Sequence, residues 1–290
     1  MSAARHHAAR LAMILGVVLA AIVGAASDAP LRRVKDMDGR ELSLPPRPQR
    51  VVSLCTSATD TIVRLGETQR LAGIDEHGKI IPGASDVPSI GRAGALSRES
   101  ILAVRADLAF VWWYQTDVQA LFEAAGTPCV RIRCGRATEV GAALRLVGEC
   151  LGCPDKAALL ARQVEEFLAA ASSRAPAKPR TVYLELYGPF RTSGAGTLAD
   201  DLIRLAGGLN VAADASGSVL LSQERLLLKD PEVVLVVGEF TSPRSFRERN
   251  GMAALRAVRE NRVRSIDRYL LVAGAGLPQA VETLRKALTE

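Results

Sequence analysis

Apolar and polar positions alternate in two rhythms along this chain, one helical and one strand-like. The longest helical run lies between Asp155 and Arg174. There Ala157, Leu160, Ala161, Val164, Phe167, Leu168 and Ala171 fall three or four residues apart, on one face. Asp155 is placed to cap its start, just after Pro154, and Pro176 and Pro179 forbid its continuation. About twenty residues at about 1.5 Å each make a rod of roughly 30 Å, the width of a small domain. A domain-sized segment on each side alternates short β-type runs with helical runs. The pattern predicts an α/β fold. Residues 28–152 and 178–290 form two Rossmann-like lobes, and residues 153–177 join them as a single long backbone helix.

In chain order, residues 31–44 read as a hairpin turned at Asp38-Gly39, and RVVSLC as a buried strand. Ser57 to Asp60 resembles a capping box opening a short helix that Gly66 closes. RLAGI is a second strand, followed by a long glycine- and proline-rich loop from His77 to Ala95, of the kind that often carries function. Helices at 97–104, 118–125 and 138–151 alternate with strands at 108–113 and 128–133. Beyond the long helix the rhythm restarts. Strands are expected at 181–187, 233–237 and 263–266, and helices at 198–206, 224–228, 253–258 and 279–288.

A repeat ties the halves together. LSRESILAVRADLAFV (96–111) and LSQERLLLKDPEVVLV (221–236) align without a gap over a whole helix–loop–strand unit. In each copy a serine stands at the helix cap. The glutamate two residues on, Glu99 or Glu224, lies in the first turn, where a carboxylate meets the positive helix end while staying exposed.

Composition changes little. The 290 residues are 48% hydrophobic and 23% charged, ordinary for a globular chain long enough to bury two cores. The net charge of +6 comes mostly from arginine. No basic run with interleaved aromatics accompanies it, which argues against nucleic-acid binding. Residues 1–27 carry an early positive charge, an apolar core at 11–23 and small residues at 23–27, the plan of a cleaved export signal. That core is short for a membrane span, and no cysteine stands at the cleavage zone to take a lipid. The expectation is an exported, periplasmic mature protein. Five cysteines are an odd count, and the lone C-x-x-C at Cys150–Cys153 lacks a redox context or a second pair for zinc.

The DMDGR hairpin, RVVSLCTSATDTIVRLG, the first repeat copy, FRTSGAGTLADDLIRLAGGLNVAAD and the second copy stand in the order of one family. The chain resembles the periplasmic substrate-binding proteins of ABC-type importers for vitamin B12, haem and iron–siderophore complexes. That resemblance implies a two-lobed fold on a rigid helix and capture of a metal chelate or corrinoid between the lobes. It implies a monomer without catalysis, resident cofactor or metal site. It also implies delivery to a permease and its ATPase, with Glu99 and Glu224 as the carboxylates that dock on permease arginines. The positions matching the ligand cleft are His77, Arg92, Trp112 and Tyr114 in the first lobe and Tyr187, Phe190, Arg268 and Tyr269 in the second. Aromatics there suit a broad planar ligand, and equally the packing of a core; arginines suit carboxylates or an anionic chelate. Trp112 and Trp113 face opposite ways on a strand, so at most one lines the cleft. Arg92 stands where haem binders of this type carry a tyrosine, and the cleft tryptophans of the B12 binder are replaced near Ala93 and Ser218. These departures leave the particular chelate open.

Two other readings compete. Gly194 to Ala199 fits G-x-G-x-x-A, a dinucleotide fingerprint, but six residues separate it from the preceding strand where a tight turn is required. A binder of free metal ion or oxyanion on the same two-lobed plan is the other. Only His77 among three histidines lies beyond the export signal, which rules out a histidine-rich ion site.

Overall fold

A computed structural model describes residues 30–172 and 178–290; the expected export signal and the last residues of the long helix lie outside them. Two four-stranded sheets organise the chain. Strands β3 (Val51–Ser53), β4 (Leu71–Ile74), β5 (Leu108–Trp112) and β6 (Cys129–Ile132) form the first, in the order β4-β3-β5-β6. Strands β7 (Arg180–Glu185), β9 (Gly208–Asn210), β11 (Val233–Val237) and β12 (Val263–Ile266) form the second, in the order β12-β11-β7-β9. Every pairing within them is parallel. Central strands are buried along their length, as in β11, because helices cover both faces of a parallel sheet. Two antiparallel pairs complete the strands: the predicted hairpin β1 (Arg32–Lys35) with β2 (Glu41–Leu44), and β8 (Arg191–Ser193) with β10 (Ser218–Leu220).

The helices in the first half are α1 (Thr56–Arg64), α2 (Arg98–Val104), α3 (Thr116–Ala124) and α4 (Val140–Leu151). Next comes α5 (Pro154–Ser172), the predicted spine. Its start differs from the expectation. Pro154 occupies the first helical position, where its missing N–H costs nothing, and Asp155 lies inside the first turn against the positive helix end. Gly152, at φ +73°, reverses the chain so that α5 folds back along α4. A Cβ on Gly148 would lie 2.0 Å from that of Ala157, so only glycine permits the two helices this approach. From the end of α4, at the N-terminal edge of the first sheet, nineteen residues carry α5 over roughly 28 Å toward the start of β7.

In the second half lie α6 (Leu198–Leu205), α7 (Gln223–Lys229), α8 (Pro243–Glu248), α9 (Arg256–Arg259) and α10 (Leu277–Thr289). One apolar cluster runs unbroken from the first lobe through the spine into the second, joining Leu144 and Val147 to Ala161 and Val164, then to Leu202, Ile203 and Leu284. Smaller clusters fill the outer faces, around Phe122 in the first lobe and around Tyr183 and Phe246 in the second.

The expected capping box at Ser57 does not form. Helix α1 starts one residue earlier with Cys55 at its cap and no side-chain cap. The reason is that its polar side chains are used between lobes: Ser57 Oγ donates to the Ala273 carbonyl at 2.5 Å, and Asp60 accepts from Tyr269 Oη at 2.7 Å.

Arginine does structural work that the charge balance alone hides. Helices run antiparallel to the strands they cover, so their C-terminal carbonyls gather at the strands' N-terminal edges. Arg50 donates to the Val104 carbonyl at the end of α2, and Arg70 to that of Leu151 at the end of α4. Arg285 donates to the Leu205 carbonyl ending α6, and Arg180 to that of Leu288 near the end of α10. Cations there satisfy orphan carbonyls and complement the helix dipole.

Candidate functional site

The C-terminal ends of the strands of both sheets face a cavity of about 350 Å³ between the lobes. Open parallel sheets place ligands at this edge because the loops there are free to vary while the strands hold them. The first lobe contributes Thr56 at the start of α1, then Asp75, His77 and Ile80 after β4, Trp112 at the end of β5 and Tyr114 just beyond it. The second contributes Tyr187 after β7, then Arg268, Leu271 and Val272 after β12.

Aromatic rings wall both sides. Trp112 stacks on Tyr114 with centroids 6.3 Å apart and planes 7° from parallel. Trp113 turns to the other face, where the Arg133 guanidinium lies 5.7 Å from its ring centre. Across the cavity Tyr187 meets the edge of Phe240 at 5.4 Å, and Arg268 lies over the Phe240 ring at 5.6 Å. Burial pushes the Tyr114 phenol above its ordinary value, so it stays a neutral donor at physiological pH.

The charged groups are paired before any ligand arrives. Arg268 Nε sits 2.9 Å from Glu239 Oε2, in ion-pair contact without hydrogen-bonding geometry. Its Nη1 lies 3.3 Å from His77 Nδ1. A guanidinium only donates, so this contact is a hydrogen bond when Nδ1 carries no proton. Asp75 is 4% exposed, and its Oδ1 accepts from the Gly78 amide at 2.8 Å, capping a short 3-10 turn. Burial pushes its carboxyl up, against the Gly78 hydrogen bond and the nearby charges of His77 and Arg268.

Of the eight cleft residues expected from the sequence, His77, Trp112, Tyr114, Tyr187 and Arg268 line this cavity. Three lie elsewhere. Arg92 extends into solvent and pairs with Glu76 at 2.7 Å. Phe190 takes a left-handed backbone, φ +62°, that turns its ring onto the outer core of the second lobe, beneath Arg249 at 4.9 Å. Tyr269 sits at the seam between lobes, donating to Asp60 and accepting from Arg64 Nη2 at 2.8 Å. Burial, then the hydrogen bond to Asp60, pushes its phenol up to about 12. Thr56, Asp75, Ile80, Leu271 and Val272 line the cavity without having been expected, although Asp75 follows β4 directly and strand ends are where such residues stand.

The repeat persists in the folded chain. Helices α2 and α7 each have seven residues, a serine cap (Ser97, Ser222) and a left-handed C-cap (Arg105, Asp230). One residue before the following strand, Asp107 accepts from the Arg50 amide and Glu232 from the Thr181 amide, each clamping the neighbouring strand's start. Glu99 and Glu224 lie exposed in the first turns. Their own backbone amides, then the Ser97 and Ser222 hydroxyls, hold both carboxyls below the ordinary glutamate range.

The glycine loop of the rival reading has a packing explanation. A Cβ on Gly194 would stand 2.1 Å from the Ala215 carbonyl oxygen, and Thr197 closes the helix start by accepting from the Asp200 amide. All five cysteines are free thiols, four of them buried.

Residues 51–270 match the model of the periplasmic binding protein family, and the chain belongs to that family. It is 30% identical over 212 residues to the cobalamin-binding protein of Halobacterium salinarum, covering 69% of this chain and 57% of that one. It is 21% identical over 269 residues to an uncharacterised ABC transporter substrate-binding lipoprotein of Bacillus subtilis, covering 88% of this chain and 84% of the other. Among solved structures it superposes on a periplasmic heme-binding protein of Roseiflexus sp. RS-1 with a TM-score of 0.76 and 28% identity, over 83% of this chain and 97% of the other. The two-lobed α/β fold expected from the sequence is the fold of the family.

Proposed function

We propose that this protein is exported, captures a metal chelate or corrinoid between its lobes and delivers it to an ABC-type permease. Residues 28–152 and 178–290 act as the lobes and residues 153–177 as their link. The observation that carries this reading is a cavity walled by aromatic rings from both lobes, Trp112 and Tyr114 facing Tyr187. Flat conjugated faces on two walls suit a broad, rigid ligand held by stacking rather than by a few hydrogen bonds. Relatives named for cobalamin and haem binding support the same ligand class. Glu99 and Glu224, one per lobe, serve as the permease contacts, since charge-assisted pairing to arginine suits a specific but transient contact. Titration of purified protein with cobalamin, haem and ferric siderophores tests the reading. Saturable quenching of tryptophan fluorescence by one class, reduced about tenfold or more in Trp112→Ala, is expected. Failure of all three to bind would sink it.

A further inference from the structure

We propose that Asp75 determines which chelates the cavity accepts, favouring ligands that present N–H donors to this wall over ligands that present carboxylates. The inference rests on the chelate-binding reading above.

Asp75 is nearly fully buried, at 4% exposure, and lines the cavity. One carboxylate oxygen is used by the Gly78 amide; among the described residues the other has no hydrogen-bond donor. That oxygen keeps access to the cavity, where a ligand N–H supplies the donor it lacks and a ligand carboxylate supplies only repulsion. The surrounding charge points the same way. Arg268, the guanidinium of the cavity wall, already faces Glu239 at 2.9 Å. With Glu239 behind Arg268, this wall holds two carboxylates, Asp75 and Glu239, against one guanidinium, while Tyr114 and Tyr187 add hydroxyls and His77 an exposed imidazole. A ligand carboxylate entering here meets a guanidinium already in ion-pair contact with Glu239 and, beside it, the Asp75 carboxylate. A macrocycle fringed with carboxamides brings N–H donors to the same place. A planar ring whose only polar substituents are ionised carboxylates brings none.

Asparagine at this position separates the readings, because it keeps the helix cap and inverts the free face. Its Oδ1 accepts from Gly78 as before, and its NH2 then points at the ligand as a donor. The experiment titrates wild type, Asp75→Asn and Asp75→Ser with dicyanocobinamide, fringed with amides, and with haemin, which carries only carboxylates. Circular dichroism checks that each variant is folded. Wild type should prefer cobinamide. In Asp75→Asn the cobinamide affinity should fall about tenfold and that of haemin rise about tenfold, a swing on the order of a hundredfold in their ratio. Asp75→Ser, which caps without offering an amide, should lose the cobinamide preference with a smaller haemin gain. An unchanged ratio in both folded variants, or a wild-type preference for haemin, overturns the assignment and leaves Asp75 a helix cap. If wild type binds neither probe nor any ferric siderophore, the chelate-binding reading itself has failed, and Asp75's role falls with it.

Discussion

The Tyr269 hydroxyl donates to Asp60 Oδ1 at 2.7 Å, tying the loop after the last strand of the second lobe to the first helix of the first. Asp60 is 1% exposed, and it also takes the Arg64 guanidinium at 3.2 Å. On the same seam Ser57 reaches the Ala273 carbonyl, and Arg136 makes two 2.8 Å hydrogen bonds to Asp201 in the other lobe. The lobes are therefore held by polar contacts as well as by the continuous apolar cluster behind them.

Removing one of these contacts should loosen the seam without unfolding the protein. Tyr269→Phe deletes the donor to a buried carboxylate that keeps Arg64, so a loss of about 1–3 kcal/mol is expected in urea denaturation. In solution scattering, the wild type should close by only a few degrees on ligand binding, and the variant should show a broader distribution of lobe separations. A large hinge rotation in the wild type would contradict a rigid seam.

Acid should open the same seam. Burial alone would push the Asp201 carboxyl up, but Arg136, the Ala137 amide and Arg204 outweigh it and hold the group below the ordinary aspartate value of 3.8. A carboxyl whose folded value is depressed binds fewer protons folded than unfolded. Its stabilisation is thus complete above pH 3.8 and is lost as pH falls through the folded value. Asp75, pushed the other way, costs stability when charged and recovers it on acidification. Thermal melts between pH 6 and 3 should show Asp201→Asn with a lower melting temperature at pH 6 and a shallower fall below pH 4 than wild type.

How much of this was legible beforehand depended on whether a single chain segment carried the signal. The spine, both sheets and the repeat could be read because each rests on local rhythm, as with the apolar face from Ala157 to Ala171. Strand-end logic brings Trp112, Tyr187 and Arg268 to the cavity wall, since the C-terminal edge of a parallel sheet is the same edge for every strand. It failed for Phe190 and Tyr269, which also follow strands. Phe190 is turned away by a left-handed backbone, and Tyr269 meets a carboxylate more than two hundred residues earlier in the chain. The arginine excess was likewise opaque, because helix-end carbonyls and the guanidiniums that serve them lie far apart in sequence.

Arg70 puts that last point to a test. It is 3% exposed, pairs with Glu67 at 2.8 Å and serves the Leu151 carbonyl at 2.7 Å. Arg70→Met fills much of the volume but leaves Glu67, itself 7% exposed, without its cation and with only the Gln69 side-chain amide, at 3.3 Å, among the described residues. Breaking a buried pair this way should cost about 3–5 kcal/mol in chemical denaturation. The double variant Arg70→Met, Glu67→Gln should recover part of that loss. If the single variant costs no more than a surface substitution, the arginine is a solvated charge rather than a helix cap.

Docking can be separated from ligand chemistry by charge reversal at the repeat. Glu99 and Glu224 stand at equivalent helix starts, exposed, with neither lining the cavity between the lobes. The serine hydroxyls that cap these helices accept from the Ser100 and Arg225 amides, a bond that does not need the glutamate carboxylates, so the helix starts survive a change of charge. Glu99→Lys and Glu224→Lys should therefore leave ligand affinity within about twofold of wild type, because neither carboxylate touches the cavity. If the proposed docking role holds, uptake in cells, or transport in reconstituted vesicles, should fall by an order of magnitude or more, because each variant would set two like charges against each other at the permease. Changing the facing permease arginine to glutamate should restore part of the transport, and only for the variant on its own side. That restoration is the decisive arm: a generally damaged protein would not regain activity through a second change in its partner. Loss of ligand binding in purified Glu99→Lys would instead make these glutamates part of the cleft.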